Sequence, residues 1–417
     1  MKYDGPLTPR IVEVAMLSFA TLTFLVDSGY AWGPCLALVV LLWEAARGQA
    51  PSVNKDDLYL AAVFLLVFFI GILDALVHDL PISHLDNFTR YLLASFAVIY
   101  FPRRRIRESY LWVGYAIGAT LAGCWAVYAK FWLAIDRVDT PEISTVNFGN
   151  FSLLFALMAT CGGVWARERK TLMWLMFFAA TMGFLASFLS GTRGAWAAMP
   201  VGLFVIYSRY KDILAIDRKK IAYVLLASSV CLFAIASETG VKGRLAEIVS
   251  DIEKYQQDDL NTSIGLRLEM WRSGYYAFVE KPLFGWGEQA FFEFQKRLVE
   301  DLGLQPEITD YNHIHNQYIQ ELAVRGVVGW CALMALMVVP FWIFRRKSSS
   351  QNYRVNTLAV AGMLCIISMS IFCLTQSMLR INSAIIIFLF SLVFLWGSIR
   401  SAENEDSVDG AEQVQKN

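Results

Sequence analysis

Long apolar runs separated by short polar turns dominate the chain. The runs fall near 11–27, 30–46, 58–77, 88–101, 110–135, 147–166, 171–189, 194–208, 220–237, 326–344, 355–375 and 383–399. Crossing a hydrocarbon core about 30 Å thick takes about 20 apolar residues of helix, so the pattern predicts an all-α polytopic membrane protein with about 12 transmembrane helices. The fourth and eighth runs are short for a full crossing and would extend into their flanks or pair as a broken element. With no small-residue cleavage site and another run directly behind it, the first run reads as an anchor, not a removed signal peptide. Four segments result: helices over 1–237 (about nine spans), a polar loop over 238–325, helices over 326–399 (about three spans) and a polar tail over 400–417.

Composition agrees with that reading. Of 417 residues, 56% are hydrophobic and 17% charged, with 36 Lys and Arg balancing 36 Asp and Glu. Such a chain is too apolar for a soluble multidomain protein and has no basic domain for nucleic acid. The seven cysteines all lie in apolar runs and read as small core residues, with no metal-binding or disulfide spacing.

Charge then orients the spans. Placing both termini in the cytoplasm puts most Lys and Arg on inward turns, as the positive-inside rule requires. Nine of the others sit in the long outward loop, which is exempt because long loops translocate regardless of charge. Arg90, Lys130, Arg137, Arg193 and Arg380 are the outward exceptions.

The outward loop is long enough to be functional, and it carries helical patterning. From Asn261, a candidate N-cap, residues Ile264, Leu268, Trp271, Tyr275 and Phe278 form one apolar stripe. Lys281-Pro282 stops that helix, Gly285 and Gly287 make a turn, and a second amphipathic helix is expected over 288–302. The loop is therefore mostly helical. The stretch Asp310 to Asn316 leads into the next span, with Ile319 and Leu322 spaced four and three from His315. This spacing places His315 at the outer mouth of a span. Gly326 and Gly329 would share one helix face and let a neighbour approach closely.

The pair His315-Asn316, followed after nine residues by Gly326-Val-Val-Gly329, resembles a signature of the bacterial O-antigen ligase family. The upstream Arg267-Leu-Glu-Met-Trp271 and Pro282-Leu-Phe-Gly285-Trp-Gly287 runs resemble a stretch that those ligases share with O-antigen polymerases and bacterial O-linked oligosaccharyltransferases. Ser190-Gly-Thr-Arg193-Gly resembles the arginine-bearing outer turn of the same superfamily.

This resemblance implies an inner-membrane glycosyltransferase with its site facing the periplasm. The donor would be an O-antigen glycan on undecaprenyl pyrophosphate and the acceptor a hydroxyl of lipid A-core, in lipopolysaccharide biosynthesis. Membrane lipids surround such a protein, and association with other O-antigen assembly proteins stays open. A departing pyrophosphate calls for fixed cations with a forked geometry, for which Arg193 and Arg267 are the candidates. The attacking hydroxyl calls for a base, and His315, with an ordinary pKa of about 6.5, is the catalytic candidate. His313, Asn316, Arg137 and Arg272 are secondary substrate contacts, although packing suits His313 better and an ion pair or lipid contact suits Arg137. No P-loop, Rossmann fingerprint or outward DxD is present, so no cofactor and no metal are expected. A polymerase, usually with two sizeable outward loops, is the nearest alternative. An oligosaccharyltransferase usually adds a large outward region after its last span, where this chain has a short acidic tail. A lipid-linked glycan transporter is more remote, since ionisable residues sit towards span ends and no internal repeat is seen.

Overall fold

In the computed structural model, residues 7–48, 53–101, 106–211 and 262–416 are described, with side chains to 405 in the last helix. Every regular element among them is helical. In chain order they are α1 (Leu7–Leu22), α2 (Gly29–Ala46), α3 (Lys55–Val77), α4 (Asp86–Tyr100), α5 (Ser109–Phe131), α6 (Thr145–Trp165) and α7 (Lys170–Leu189). Then come α8 (Arg193–Trp196), α9 (Ala198–Tyr210), α10 (Ser263–Glu280), α11 (Glu288–Leu302), α12 (Gln317–Lys347), α13 (Tyr353–Phe372) and α14 (Asn382–Lys416). Short 3₁₀ turns occupy Ile82–Leu85, Pro306–Asp310 and Met378–Arg380.

Among the described residues, eight helices, α2, α3, α5, α6, α7, α12, α13 and α14, are long and apolar enough to cross a membrane. Three of the remaining expected spans are shorter: α1 has 16 residues, α4 has 15 and α9 has 13. At 1.5 Å per residue, such helices reach roughly 20–24 Å and do not by themselves match a 30 Å core. The ninth expected run, 220–237, lies outside the described residues, as does the loop segment 238–261. Towards the C-terminus, α14 continues as one helix to Lys416, so the acidic segment after Arg400 is helical.

Burial follows composition. Helices α6 and α13 and the apolar first part of α14 lie largely inside the bundle, while α2, α3 and α7 keep one face outward. Helix α6 packs against α5, α7 and α13, and α14 against α4 and α13. At one end of the bundle, ion pairs tie neighbouring helices: Arg354 grips Glu108 through two bonds (2.5 and 2.6 Å), and Arg346 meets Asp56 at 2.6 Å. Helices α3, α5, α12 and α13 therefore meet there by the N-terminus of α3, α5 and α13 and the C-terminus of α12. Their other ends converge at the opposite end of the bundle, where α10 and α11 cap it.

Helix α12 differs from the expected span in a way that explains two of the sequence runs. It starts at Gln317, ahead of the apolar run, and breaks at Gly326 (φ 62°, ψ −158°), a conformation essentially closed to residues with a Cβ. Gly326 is thus a break and not a flat helix face. Into that break runs the 282–287 loop. Trp286 N donates to Ala323 O (3.1 Å), Gly287 N to Val324 O (2.9 Å), Val327 N to Pro282 O (2.8 Å) and Val328 N to Leu283 O (3.3 Å). Backbone groups orphaned by the break are thereby satisfied by the turn. A Cβ on Gly326 would come within 2.4 Å of Leu283 backbone atoms. Gly329 instead makes room for Arg325 and Glu321, which a Cβ there would meet at 2.3 and 3.1 Å.

Candidate functional site

Segment 311–316, between the Pro306–Asp310 turn and α12, is not helical, so His315 precedes the span by two residues. It is anchored through its neighbours. Trp271 Nε1 donates to Ile314 O (3.1 Å), Gln320 Oε1 accepts from Ile314 N (3.1 Å), and the Ile314 side chain is fully buried. Asn316 is the N-cap of α12, accepting from Tyr318 N (3.0 Å) and Ile319 N (3.2 Å). Between these two fixed points His315 adopts φ 53°, in the left-handed region. Non-glycine residues are uncommon there, and such strain clusters at functional sites.

Helix α10 begins with Thr262 as N-cap, its hydroxyl accepting from Gly265 N (3.0 Å), one residue later than the sequence suggests. Arg267 and Trp271 are one turn apart on α10 and share a face. Trp271 pins the His315 segment while Arg267 lines the cavity beside it, which accounts for the spacing of the Arg-x₃-Trp run.

Arg193 opens α8 after a tight turn. Ser190 Oγ donates to Ser187 O (2.7 Å) and accepts from Thr192 N (3.2 Å), while Thr192 Oγ1 donates to Thr145 O of α6 (3.1 Å). Gly191 takes φ 69°, the left-handed position that lets the chain reverse. The Ser-Gly-Thr-Arg order is therefore a hydroxyl-locked turn that ends in a guanidinium. The loop after α5, held by Trp125 Nε1 to Asp139 O (2.6 Å), carries Arg137.

Arg137, Arg193, Arg267 and His315 line one cavity of about 250 Å³, with Ser263, Thr375 and Gln376 also in its wall. Among its described lining residues there is no carboxylate. Other sequence candidates lie elsewhere. Arg272 points away on α10, half-exposed, 3.6 Å from Glu269. Asn316 serves as the cap, and Gly326 and Gly329 belong to the helix break. His313 lies against His315, with ring centroids 4.1 Å apart and the ring planes tilted by 44°.

Gln376, which nothing in the sequence singles out, completes the arrangement. Its Oε1 accepts from His315 Nδ1 at 2.7 Å. Nδ1 therefore carries the proton and Nε2 keeps its lone pair. Burial, then His313, then Arg267 lower the His315 pKa to about 4, against an opposing contribution from Gln376. Burial and Arg380 also lower that of His313. The sequence expectation of an ordinary histidine is thus displaced by its surroundings: a buried imidazolium next to an arginine is disfavoured.

That shift has a thermodynamic sign. A histidine whose folded pKa is depressed binds its proton in the unfolded chain first, so stability falls as pH drops from about 6.5 to about 4 and levels off below. His315→Gln should flatten this part of a thermal-unfolding profile. An unchanged slope between pH 6.5 and 4 would contradict the shift.

Among the described residues no group of three or more His, Cys, Asp and Glu side chains gathers as a metal site would require. Sequence comparison bears on the same region. Residues 177–334 match the family described as O-antigen ligase. The chain is 26% identical over 400 residues to an uncharacterised protein of Haemophilus influenzae, covering 94% of this chain and 99% of that one. It is 23% identical over 348 residues to an Escherichia coli protein named O-antigen ligase, covering 78% and 80% respectively. The matched stretch holds the Arg193 turn, Arg267, the His315 segment and the Gly326 break, so most of the charged lining of the cavity in this polytopic membrane protein lies in the part of the chain that is similar to the O-antigen ligase family.

Proposed function

We propose that this protein is an O-antigen ligase, transferring a glycan from undecaprenyl pyrophosphate to a sugar hydroxyl of lipid A-core at the periplasmic face of the inner membrane. One observation carries the reading: three arginines and a histidine with a bare Nε2 line a single cavity, with no carboxylate among its described lining residues. The Lys and Arg asymmetry of the turns supports a periplasmic site and cytoplasmic termini.

In this mechanism the acceptor oxygen attacks the anomeric carbon as the bond from that carbon to the pyrophosphate oxygen breaks, inverting the centre. Both electrons of the broken bond leave with the pyrophosphate. Arg193 and Arg267 hold that growing negative charge through paired N–H donors, with Arg137 adding charge from the cavity rim. His315 Nε2 takes the proton of the attacking hydroxyl, and Gln376 keeps the ring in the tautomer that leaves Nε2 free. An imidazole with a pKa of about 4 is a weak base in the empty cavity. A pyrophosphate anion beside it raises its proton affinity, which couples base strength to donor binding.

The testing experiment is reconstitution of the purified protein with lipid-linked O-antigen and lipid A-core. Extension of lipid A-core is the expected result, and it should persist in EDTA, because the arginines neutralise the leaving group. Extension of the lipid-linked glycan alone would identify a polymerase. Complete loss in EDTA with recovery on added magnesium would overturn metal independence.

A further inference from the structure

Across the wall from the arginine cavity lies a second polar cavity that the proposed donor chemistry does not use. Its inner part, about 110 Å³, is lined by Tyr91, Glu321 and Arg325 between α3, α4 and α12. An outer vestibule of about 490 Å³ is lined by Asp86, Arg90 and Asn382. Both parts share His84, Asn87, Glu288 and Arg380. Arg380 forms the partition. It bonds Glu288 on one side and the carbonyl of Asn312 on the other, and it lies four residues beyond Gln376. His315 is therefore within a few residues of both cavities.

The two cavities differ in chemistry. Where the first has arginines and no carboxylate among its described lining residues, the second holds Asp86, Glu288 and Glu321 together with Arg90, Arg325 and Arg380. Its floor is a closed network: Arg325 donates to Asp74 (2.7 Å) and to both oxygens of Glu321 (2.9 Å each), and His84 Nε2 meets Asp74 at 3.0 Å. Three carboxylates in the lining disfavour a pyrophosphate there. Balanced donors and acceptors suit a neutral hydroxyl-bearing ligand. Tyr91 sharpens this point. It is 3% exposed and lines the inner cavity, where its hydroxyl can bond a ligand. Beside the vestibule, Ile82 is 86% exposed on the bundle's outer surface, an apolar edge next to a polar mouth. A ligand matching both is a saccharide that carries a lipid anchor.

We propose that this second cavity seats the acceptor saccharide of a membrane-anchored glycolipid, with the Tyr91 hydroxyl and Asn87 bonding its sugar hydroxyls. The proposal rests on the transferase reading for the word acceptor, but the binding itself does not. Tyr91→Phe removes one oxygen and no packing, and Asn87→Ala removes the amide.

In nanodiscs, full-length protein is titrated with rough-type lipooligosaccharide and, separately, with undecaprenyl pyrophosphate. Each substitution should weaken lipooligosaccharide binding about fivefold, the loss of one net hydrogen bond, and leave undecaprenyl pyrophosphate binding unchanged. In the transfer assay the same variants should raise KM for the acceptor and not for the donor. Unchanged lipooligosaccharide affinity in both variants overturns the site even if transfer is intact. If wild type shows no transfer from any lipid-linked donor, the ligase reading fails, and the binding titration still decides the cavity's occupant.

Discussion

His315→Asn should leave lipid A-core without O-antigen and retain lipid-linked glycan in the membrane, with the reconstituted rate down by about 10²–10⁴-fold, the usual contribution of a positioned base. Asparagine is the informative replacement because it tolerates the left-handed backbone that His315 occupies at φ 53°. Its side chain keeps a donor for Gln376 and has no basic nitrogen. An alanine there would add backbone strain to the chemical loss and blur the result. Thermal stability at neutral pH should stay within about 1 kcal/mol of wild type, since the lost ring is only partly buried. Normal O-antigen laddering in cells carrying His315→Asn would refute the base assignment. The companion expectation concerns pH: transfer by wild type should decline only towards pH 4 in the absence of donor saturation, not near 6.5.

Arg193→Lys should lower the transfer rate by about 10²-fold while keeping the charge, because the lysine ammonium cannot present the paired donors that a pyrophosphate oxygen pair accepts. The effect belongs in kcat, since the charge on the leaving group grows only as the bond breaks. The turn holding Arg193 is locked through Ser190, Thr192 and Thr145, none of which contacts the substituted head group by these bonds, so the fold should not move. Steady-state kinetics with saturating donor measures it. Full activity in Arg193→Lys would reduce the residue to a charge anchor, and an equal loss in KM alone would mean uniform binding of donor and transition state.

Much of the fold was legible because bilayer burial writes itself into sequence as long apolar runs. The runs at 58–77, 147–166, 171–189 and 355–375 correspond closely to α3, α6, α7 and α13. Boundaries failed where polar residues are satisfied inside the bundle. Helix α12 begins at Gln317 because Gln317, Gln320 and Glu321 find partners there, such as Gln317 Nε2 to Glu321 Oε1 at 2.8 Å, so hydropathy alone starts the span too late. Conversely, the run at 11–27 suggests a full span but forms a helix of 16 residues, while the run at 88–101, short for a crossing, forms one of 15.

The candidate site was legible residue by residue, through motif spacing, but not as an assembly. Arg137, Arg193, Arg267 and His315 come from four separate stretches, and no periodicity relates them. Gln376 left no sequence signal at all, since an amide after a span looks like any interfacial residue. The second cavity was equally invisible: Tyr91 sits in an apolar run and Arg325 in a motif whose glycines draw the attention.

Alone, then, the sequence determined that this is an all-α polytopic membrane protein with two helices in its long loop, and which arginines and histidines were worth asking about. Those features are local, set by the length of apolar runs and the 3.6-residue period. Only the tertiary structure decided that the loop plugs the break at Gly326, that His315 holds its proton on Nδ1 with its pKa pressed down to about 4, and that two cavities of opposite chemical character share one wall. Each of these depends on which distant side chains supply a hydrogen bond, a charge or a desolvating surface, and such contacts exist only once the helices are packed.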